Sequence, residues 1–402
     1  MKQKPKNSTS SIILNSLEAN NVAPCEQDFD YDAFVRELID VIKSYVVITE
    51  HDALAVALWC INTWCYREFD RCPLLFINAP ERECGKTQLL KVVEKLVCKP
   101  METANITLAA LFRLITKYCP TVLIDEADTF MDGKTEFAGV VNKGYEKGGF
   151  VVRVETVGKE FVECVYQVYG PKAMAGIMLE RHLPSATMSR GIQIPMKRKT
   201  KDDSVQRLRS ADPRVFKDLR ARIVKFVTDN KDVLAKGWDE MPQELSDRQQ
   251  DNWEPLLAIA HCLGEEWYRK ACEAALKNCE ETAPPKSSSN QLLEDIREVL
   301  SGYTGKYIPS ADLLQMLNEN EDMDWRTYNH GKPLSARQLA KFMAAYGVKS
   351  KTVRMKLDYT PKGYEVREFA DAFARYLPEL PSEPTSENAK PLRAGKPPIP
   401  GF

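Results

Sequence analysis

The feature that most constrains this chain is a Gly-Lys-Thr triplet between two apolar segments of different period. Residues 73–80, PLLFINAP, form a short apolar run typical of a buried strand. Residues 86–97, KTQLLKVVEKLV, have the 3.6-residue apolar period of an amphipathic helix. A strand that turns through Gly85 into a helix brings the amides of the turn and the positive end of the helix dipole together. The stretch therefore predicts an anion-binding loop at the edge of a sheet.

The loop departs at one position from the phosphate-binding pattern G-x-x-x-x-G-K-[ST], because Pro80 stands where the first glycine belongs. Gly85 matters more, since a Cβ there would collide with a phosphate, whereas the first glycine only begins the turn. Lys86 is expected to reach the β- and γ-phosphates, and Thr87 to offer its hydroxyl to Mg²⁺. The predicted ATP-binding residues are Pro80, Glu81, Arg82, Glu83, Cys84, Gly85, Lys86, Thr87 and Gln88.

A second stretch, TVLIDEAD at 121–128, complements the loop. Its four apolar residues predict a strand whose C-terminal tip carries Asp125 and Glu126, where ligands bind in open α/β sheets. We predict that Asp125 holds Mg²⁺, through Thr87 or water, and that Glu126 polarises the attacking water. The alternative is a strand followed by an acidic helix cap. The triplet upstream, at the spacing of one helix, strand and helix, favours the nucleotide site.

Strands alternate with helices between residues 73 and 200, which predicts an α/β fold with three layers and a mostly parallel sheet. The segments on either side read as helical, with polar, proline-containing stretches between and beyond them. The predicted order is a disordered N-terminus (1–28), a helical segment (29–72), a nucleotide-binding core (73–200), a helical lid (201–282), a linker (283–290), a third unit (291–377) and a disordered tail (378–402).

The third unit has the pattern of a winged helix, with helices near SADLLQMLNEN and SARQLAKFMAAYG and then a β-ribbon. Basic residues outnumber acidic ones between Lys332 and Arg367, although the whole chain has 56 Lys plus Arg against 57 Asp plus Glu. A recognition helix with a basic wing predicts DNA binding; a protein-docking winged helix or a solvated face is the alternative. The predicted core residues are Leu313, Leu314, Leu317, Leu339, Phe342 and Met343. The predicted DNA contacts here are Arg337, Lys341, Lys349, Lys351, Arg354, Lys356 and Lys362.

The triplet followed by IDEAD resembles the additional-strand, catalytic-glutamate class of P-loop ATPases, which includes AAA+ proteins and viral superfamily 3 helicases. More narrowly, ALWCINTW, PERECGKTQLL, TVLIDEADTF, GPKAMAGI, LSDRQQDNWEPLLAIA and GKPLSARQLAKFMAAYGVKSKTVR resemble domain of unknown function 3631. This resemblance covers roughly residues 30–377. The family comprises uncharacterised bacterial proteins, many of them carried by phages and mobile elements.

The wider resemblance implies roles for three further basic residues. Arg190, in LPSATMSRGIQI, occupies the place of an arginine finger that completes a neighbouring subunit's site, which implies a ring-like homo-oligomer. Arg248, in SDRQQDNWEPLL, occupies the place of the lid arginine. Lys159 lies at the tip of a predicted hairpin (150–168), where superfamily 3 helicases contact DNA. The alternatives are a surface salt bridge, a capping or interdomain ion pair, and an ordinary hairpin. The sequence departs from the class at AMAGIM, which lacks the usual polar sensor residue.

Composition narrows the setting further. The chain has 11 cysteines without a C-x-x-C pair, which indicates buried thiols in a cytosolic protein rather than disulfides or zinc ligands. The four histidines are scattered singly, and no metal or acid–base set is apparent among them. The apolar stretch ALAVALWCINTWC is too short to span a bilayer. The expected location is the cytoplasm, without a membrane partner.

These patterns together predict an ATP-hydrolysing, oligomeric AAA+-like motor that acts on DNA, in a helicase-like role in replication or maintenance of a mobile element. Two alternatives remain open. The first is an ATP-dependent switch or adaptor with little turnover. The second is a defence or regulatory protein in which the ATP state gates a partner.

Overall fold

A computed structural model of the chain describes residues 22–103, 106–131, 135–157, 160–282, 288–320, 323–328, 331–355 and 359–377. They form two compact units, the first ending at Ala283 and the second beginning at Pro284. The predicted tail (378–402) and residues 1–21 of the predicted disordered N-terminus (1–28) lie outside the described residues.

The first unit is built on a central parallel sheet. Its strands in chain order are β1 (Leu74–Ala79), β2 (Pro100–Thr103), β3 (Thr121–Ile124), β4 (Phe150–Val157), β5 (Glu160–Gln167), β6 (Lys172–Ile177) and β7 (Gly191–Pro195). Five of them form one sheet in the order β2-β3-β6-β1-β7, and every neighbouring pair is parallel. The prediction of a mixed α/β fold with a mostly parallel sheet is confirmed. Strand β6 lies between β1 and β3, although it follows both in the chain.

Helices surround this sheet. They are α1 (Tyr31–Tyr45), α2 (Glu50–Cys65), α3 (Lys86–Leu96), α4 (Leu108–Tyr118), α5 (Ala127–Met131), α6 (Thr135–Lys143), α7 (Leu179–His182), α8 (Ser185–Met188), α9 (Pro213–Asp229), α10 (Lys231–Leu234), α11 (Asp247–Leu263) and α12 (Glu265–Glu281). Side-chain caps fix several of the starts: Asp30 accepts from the amide of Asp32, and Thr107 from that of Ala110.

Apolar side chains pack on both faces of the sheet. Because side chains alternate along a strand, Leu75 and Ile77 of β1 contribute to one core, and Leu74 and Phe76 to the other. The predicted three-layer arrangement therefore corresponds to two separate apolar cores with the sheet between them.

The helices before residue 72 and after residue 201 share the first of these cores. Trp59 of α2, Phe216 of α9 and Trp253 of α11 are all buried in it. One compact unit therefore contains the predicted helical segment, core and lid, and the boundaries between them stay a prediction. The physical reason is that the apolar faces of α11 and α12 pack on α2 instead of forming a core of their own.

Strands β4 and β5 form the predicted hairpin, an antiparallel pair with Val157 opposite Glu160. One face packs on α4, where the rings of Tyr166 and Phe112 lie 4.5 Å apart. Apolar side chains on the other face are exposed, including Phe161 at 80% and Val154 at 63%. Lys159, the predicted DNA contact at the tip, lies outside the described residues.

The second unit combines helices with a small antiparallel sheet. Its elements are α13 (Ser288–Leu300), β8 (Tyr307–Pro309), α14 (Ser310–Glu319), α15 (Ala336–Ala345), β9 (Lys351–Thr352), β10 (Lys362–Glu365) and α16 (Glu368–Tyr376), and the strand order is β8-β10-β9. Leu313, Leu317, Leu339 and Met343 are completely buried, as predicted. Helix α13 begins at Ser288, inside the predicted linker.

Candidate functional site

The segment between β1 and α3, residues 80–85, is a turn with two left-handed residues. Glu83 has φ of 64° and Gly85 has φ of 84°. The carbonyl of Gly85 accepts the first bond of helix α3, from the amide of Leu89 at 2.9 Å. A Cβ on Gly85 would meet only Met196 Cε, at 3.6 Å. The left-handed backbone therefore favours glycine here more than any steric contact within the protein does.

Two cations hold this loop. Lys86 Nζ donates to the carbonyl oxygen of Glu81 at 2.9 Å. Arg198, which follows β7, donates to the carbonyl of Arg82 at 3.2 Å and pairs with Glu83 Oε2 at 3.1 Å. Arg198 was not among the predicted residues, and its only sequence signal is the basic stretch KRKTK. One lysine and one arginine beside the loop therefore already bind oxygen atoms of its residues.

The acidic pair lies at the tip of β3. Asp125 Oδ1 accepts from the amide of Glu126 at 2.9 Å, and Glu126 has φ of 52°. Because β1 and β3 both run parallel to β6, their carboxyl ends lie at the same sheet edge, two strand spacings or about 10 Å apart. The fold therefore brings Lys86, Thr87 and the acidic pair to one edge.

Other polar groups reach this edge from β1 and from the helix after β6. Asn78 Nδ2 donates to Glu180 Oε2 at 2.8 Å, and Asn78 Oδ1 accepts from the amide of Leu179 at 3.0 Å. Asp128 packs so closely on Gly176 that a Cβ there would lie 2.7 Å from Asp128 Oδ1. Sequence analysis missed these residues because Asn78 and Glu180 meet only through the pairing of β1 with β6.

A cavity of about 550 Å³ adjoins the loop. Glu83, Cys84 and Gly85 form one wall, and Val46 and Val47, which follow α1, form another. The segment after β7 completes it with four cations: Lys197, Lys199, Arg207 and Arg209. The cavity is therefore apolar on one side and positively charged on the other.

Arg190 and Arg248 lie at the opposite edge of the sheet. The carbonyl of Arg190 accepts from the amide of Leu74, the first residue of β1. The guanidinium carbons of Arg71, Arg190 and Arg248 lie 5.9, 6.0 and 5.6 Å from the ring centroid of Tyr145, within cation–π range. We call these three residues the arginine cluster.

Tyr145 holds the cluster in place. Its hydroxyl donates to Asn252 Oδ1 at 2.9 Å, and burial raises the pKa of the phenol. Asp251 lies 3.7 Å from Arg71 Nε and 3.6 Å from Arg248 Nη1. Asp251 therefore lies near two of the three guanidinium groups, and among these four residues positive charge is in excess.

The length of β1 separates the two edges. Six residues span about 17 Å, so the arginine cluster lies roughly that far from the loop of its own chain. The structure does not bring Arg248 to the loop, as a lid arginine would require. The reason is that α11, which carries Arg248, packs on α2 and β7, with Asn252 donating to the carbonyl of Ser189.

The second unit leaves most of its predicted DNA contacts exposed. Arg337 and Lys341 lie on the surface of α15, and Lys349, Arg354 and Lys362 are exposed as well. Lys351 differs, because its ammonium is held by Glu365 at 2.7 Å and Glu368 at 2.8 Å. Lys356 lies outside the described residues.

Across the described ranges, no single helix is long and apolar enough to cross a membrane. Two consecutive helical segments, Tyr31–Tyr45 and Glu50–Glu68, together have the length and apolar composition of a membrane span, but the angle between them is 114°.

The chain has matches among protein families, curated proteins and solved structures. A family model described as "Protein of unknown function (DUF3631)" matches residues 195–376. A curated relative from Saccharopolyspora erythraea, "Uncharacterized 28.9 kDa protein in xis 5'region", is 30% identical over 204 residues, which are 50% of this chain and 75% of that relative. A solved structure, the apo A form of the NrS-1 C-terminal region, has a TM-score of 0.44 and 12% identity over 91% of this chain and 78% of that chain.

The chain belongs to the DUF3631 family of proteins of unknown function. The match begins at Pro195, the last residue of β7, and ends within the second unit. It is narrower than the expected 30–377, so the loop and the acidic pair precede the matched residues.

Proposed function

We propose that this protein binds and hydrolyses ATP with Mg²⁺ at the carboxyl edge of its sheet, as an oligomeric AAA+-like motor acting on DNA. The observation that supports this best is the strand order. Strand β6, inserted between β1 and β3, leaves a gap of about one strand between the loop and the acidic pair. An inserted strand of this kind is the feature for which the additional-strand class of ATPases is named.

The side chains at this edge fit a magnesium triphosphate. Lys86 already donates to a carbonyl oxygen, which a phosphate oxygen can replace. The Thr87 hydroxyl and the Asp125 carboxylate are the oxygen ligands that Mg²⁺ prefers. Bound Mg²⁺ would neutralise charge on the phosphates, while Glu126 orients the attacking water. The adjoining cavity has room for the nucleoside, with Val46 and Val47 against the base.

The arginine cluster supports an oligomer. At about 17 Å from its own loop, Arg190 reaches a triphosphate only if that triphosphate is bound to another copy of the chain. The role proposed for Arg190 is therefore that of a finger in trans. Arg248 belongs to the same cluster, and we assign it to the trans site instead of the lid.

The second unit supports DNA binding. Its chain order of helix, strand, two helices and two strands, with sheet order β8-β10-β9, corresponds to that of a winged helix. Exposed Arg337 and Lys341 on α15 suit contacts in a major groove. The relative's name, which refers to the 5' region of xis, agrees with a role in a mobile element.

One observation favours the alternative of a nucleotide-dependent switch with little turnover. The carboxyl end of β6 is Ala175, Gly176 and Ile177, without the polar side chain that senses the γ-phosphate in related ATPases. Asn78 and Glu180 lie at this edge, and we propose that they take its place.

ATP turnover measured with and without DNA, on fractions separated by size, tests the proposal. We expect turnover in a high-mass fraction, stimulation by DNA, and loss of both nucleotide binding and turnover in Lys86→Ala. Lys231→Ala, which changes an exposed lysine at the start of α10, outside the loop, the acidic pair and the arginine cluster, should behave like the unchanged protein. Absence of ATP binding by calorimetry with Mg²⁺ present would refute the proposal. ATP binding without turnover in every fraction would instead favour the alternative of a nucleotide-dependent switch.

A further inference from the structure

The first turn of α2 and the last turn of α12 bring three potential metal ligands together. His51 Nε2 lies 3.7 Å from Asp52 Oδ2 and 3.5 Å from Glu281 Oε2. The donor atoms of all three side chains lie within 4.8 Å of one another. Sequence analysis found no metal set among the histidines, because Glu281 comes from the far end of the first unit.

These distances are too long for hydrogen bonds and suit a shared cation. N–H···O bonds span about 2.7–3.2 Å, and His51 Nε2 is buried without a hydrogen-bond partner in the described structure. Zinc binds imidazole and carboxylate at about 2.0–2.2 Å, which places the ligand atoms of a tetrahedral site about 3.3–3.6 Å apart. Of the two distances from His51 Nε2, 3.5 Å lies within this range and 3.7 Å lies just above it.

Further contacts orient the buried ligand. Asp52 is 1% exposed, and its Oδ2 accepts a hydrogen bond from Thr49 Oγ1 at 2.6 Å. Asn278 Nδ2 lies 3.5 Å from Asp52 Oδ1. Hydrogen bonds of this kind commonly fix the carboxylates of metal sites. The Glu281 side chain is 45% exposed, which leaves a path for an ion and a place for water.

We propose that His51, Asp52 and Glu281 form a zinc site with water as the fourth ligand. One imidazole with two carboxylates favours zinc over Mg²⁺ or Ca²⁺, which prefer oxygen ligands alone. The ion would join the start of α2 to the end of α12 and so tie together two helices of the first core. This site is separate from the nucleotide loop, and its existence does not depend on the proposed ATPase function.

Zinc titration of the full chain, stripped with a chelator and without nucleotide, tests the site. The matched pair is Glu281→Gln and Glu280→Gln, because Glu280 is the exposed neighbour outside the cluster. We expect the unchanged protein and Glu280→Gln to bind one tight zinc ion and to gain a few degrees in Tm. In Glu281→Gln and in His51→Gln, zinc affinity should fall at least tenfold and the gain in Tm should disappear.

Two outcomes overturn the proposal. If all four proteins bind zinc equally, the ion is held elsewhere, for instance by cysteines. If none binds it, the three side chains form only a polar cluster without a metal ion. Circular dichroism of each variant checks its folding, and because Glu281 is at the surface its variant remains informative if His51→Gln does not fold. ATP binding measured in parallel separates failure of this site from failure of the proposed function.

Discussion

The two edges of the parallel sheet differ in the charge they present. At the carboxyl edge, Asp125, Glu126 and Glu180 accompany Lys86 and Arg198, and four further cations line the adjoining cavity, so that both signs of charge are present. At the amino edge, the arginine cluster surrounds Tyr145 and faces Asp251. Because β1 keeps these groups about 17 Å apart, one chain cannot apply both to one phosphate. Two copies placed head to tail can bring both groups to one phosphate.

The strongest test of this comparison mixes two inactive variants. Arg190→Ala should retain ATP binding and lose about 10³–10⁵ in turnover, the range for arginine fingers. Lys86→Ala should lose ATP binding but keep its arginine cluster. If the finger acts in trans, mixing the two should restore part of the turnover, since Lys86→Ala supplies the arginine to a neighbour's intact loop. ATPase assays across mixing ratios measure this.

Arg190→Ala assayed alone and Lys86→Ala assayed alone provide the controls. No recovery in the mixed sample, with both variants folded and associated, would mean that Arg190 does not serve a neighbouring copy.

A second prediction concerns only the carboxyl edge. Glu126→Gln should lower turnover by about 10²–10⁴, the usual contribution of a general base, and leave ATP affinity nearly unchanged. Glu136→Gln, an exposed carboxylate on α6, is the control. Single-turnover kinetics combined with calorimetry separate the two effects. A variant that hydrolyses ATP at the original rate would assign the water-activating role to another group, with Glu180 the next to test.

A third prediction tests packing at the same edge. Gly176→Ala should destabilise the protein by about 1–3 kcal/mol, because the added Cβ would meet Leu179 Cδ2 at 2.4 Å and Asp128 Oδ1 at 2.7 Å. Gly139→Ala, in helix α6 with no atom within 4 Å, should instead stabilise it by roughly 0.5–1 kcal/mol. Urea denaturation compares the two. Equal effects would show that the contacts of Gly176 relax freely.

The smallest expected effect lies at the amino edge. Burial lowers the pKa of Lys172, at the start of β6, to about 8, while its ammonium donates to the carbonyls of Val168, Gly170 and Gly144. In the unfolded chain the pKa is about 10.4. Between these values the unfolded state binds more protons, so stability should rise with pH, by up to roughly 1 kcal/mol per unit.

Denaturation of the original protein and of Lys172→Met at pH 7.5 and 9.5 checks this. The free energy of unfolding of the original protein, relative to that of Lys172→Met, should be larger at pH 9.5 than at pH 7.5. A constant difference would show that Lys172 does not change its charge in this range.

Much of the first unit could be predicted from local pattern. The strands at 74–79 and 121–124 are continuous apolar runs, and the hairpin alternates on both sides of Gly158. That the helices of the predicted lid share a core with α2 could not be found in this way, because α11 and α12 have the same apolar pattern whatever helix they pack on. Packing of distant segments decided it.

The residues of the candidate site likewise fall into those that a local motif predicts and those that it does not. Gly85, Lys86 and the acidic pair are contiguous motifs with recognisable spacing. The positions of other site residues depend on contacts between residues far apart in the chain, which composition and periodicity do not encode. These residues are Arg248, Asn78 with Glu180, Arg198 and the cluster around His51.

The sequence by itself determined which segments form strands and helices, since these follow from apolar period and turn residues within a few positions. It also determined the chemistry available at each strand end. Only the tertiary structure decided that β6 separates β1 from β3 and that the arginine cluster lies at the edge opposite the loop. The physical reason is that strand order and helix packing minimise exposed apolar surface over the whole chain, a property that no short stretch contains.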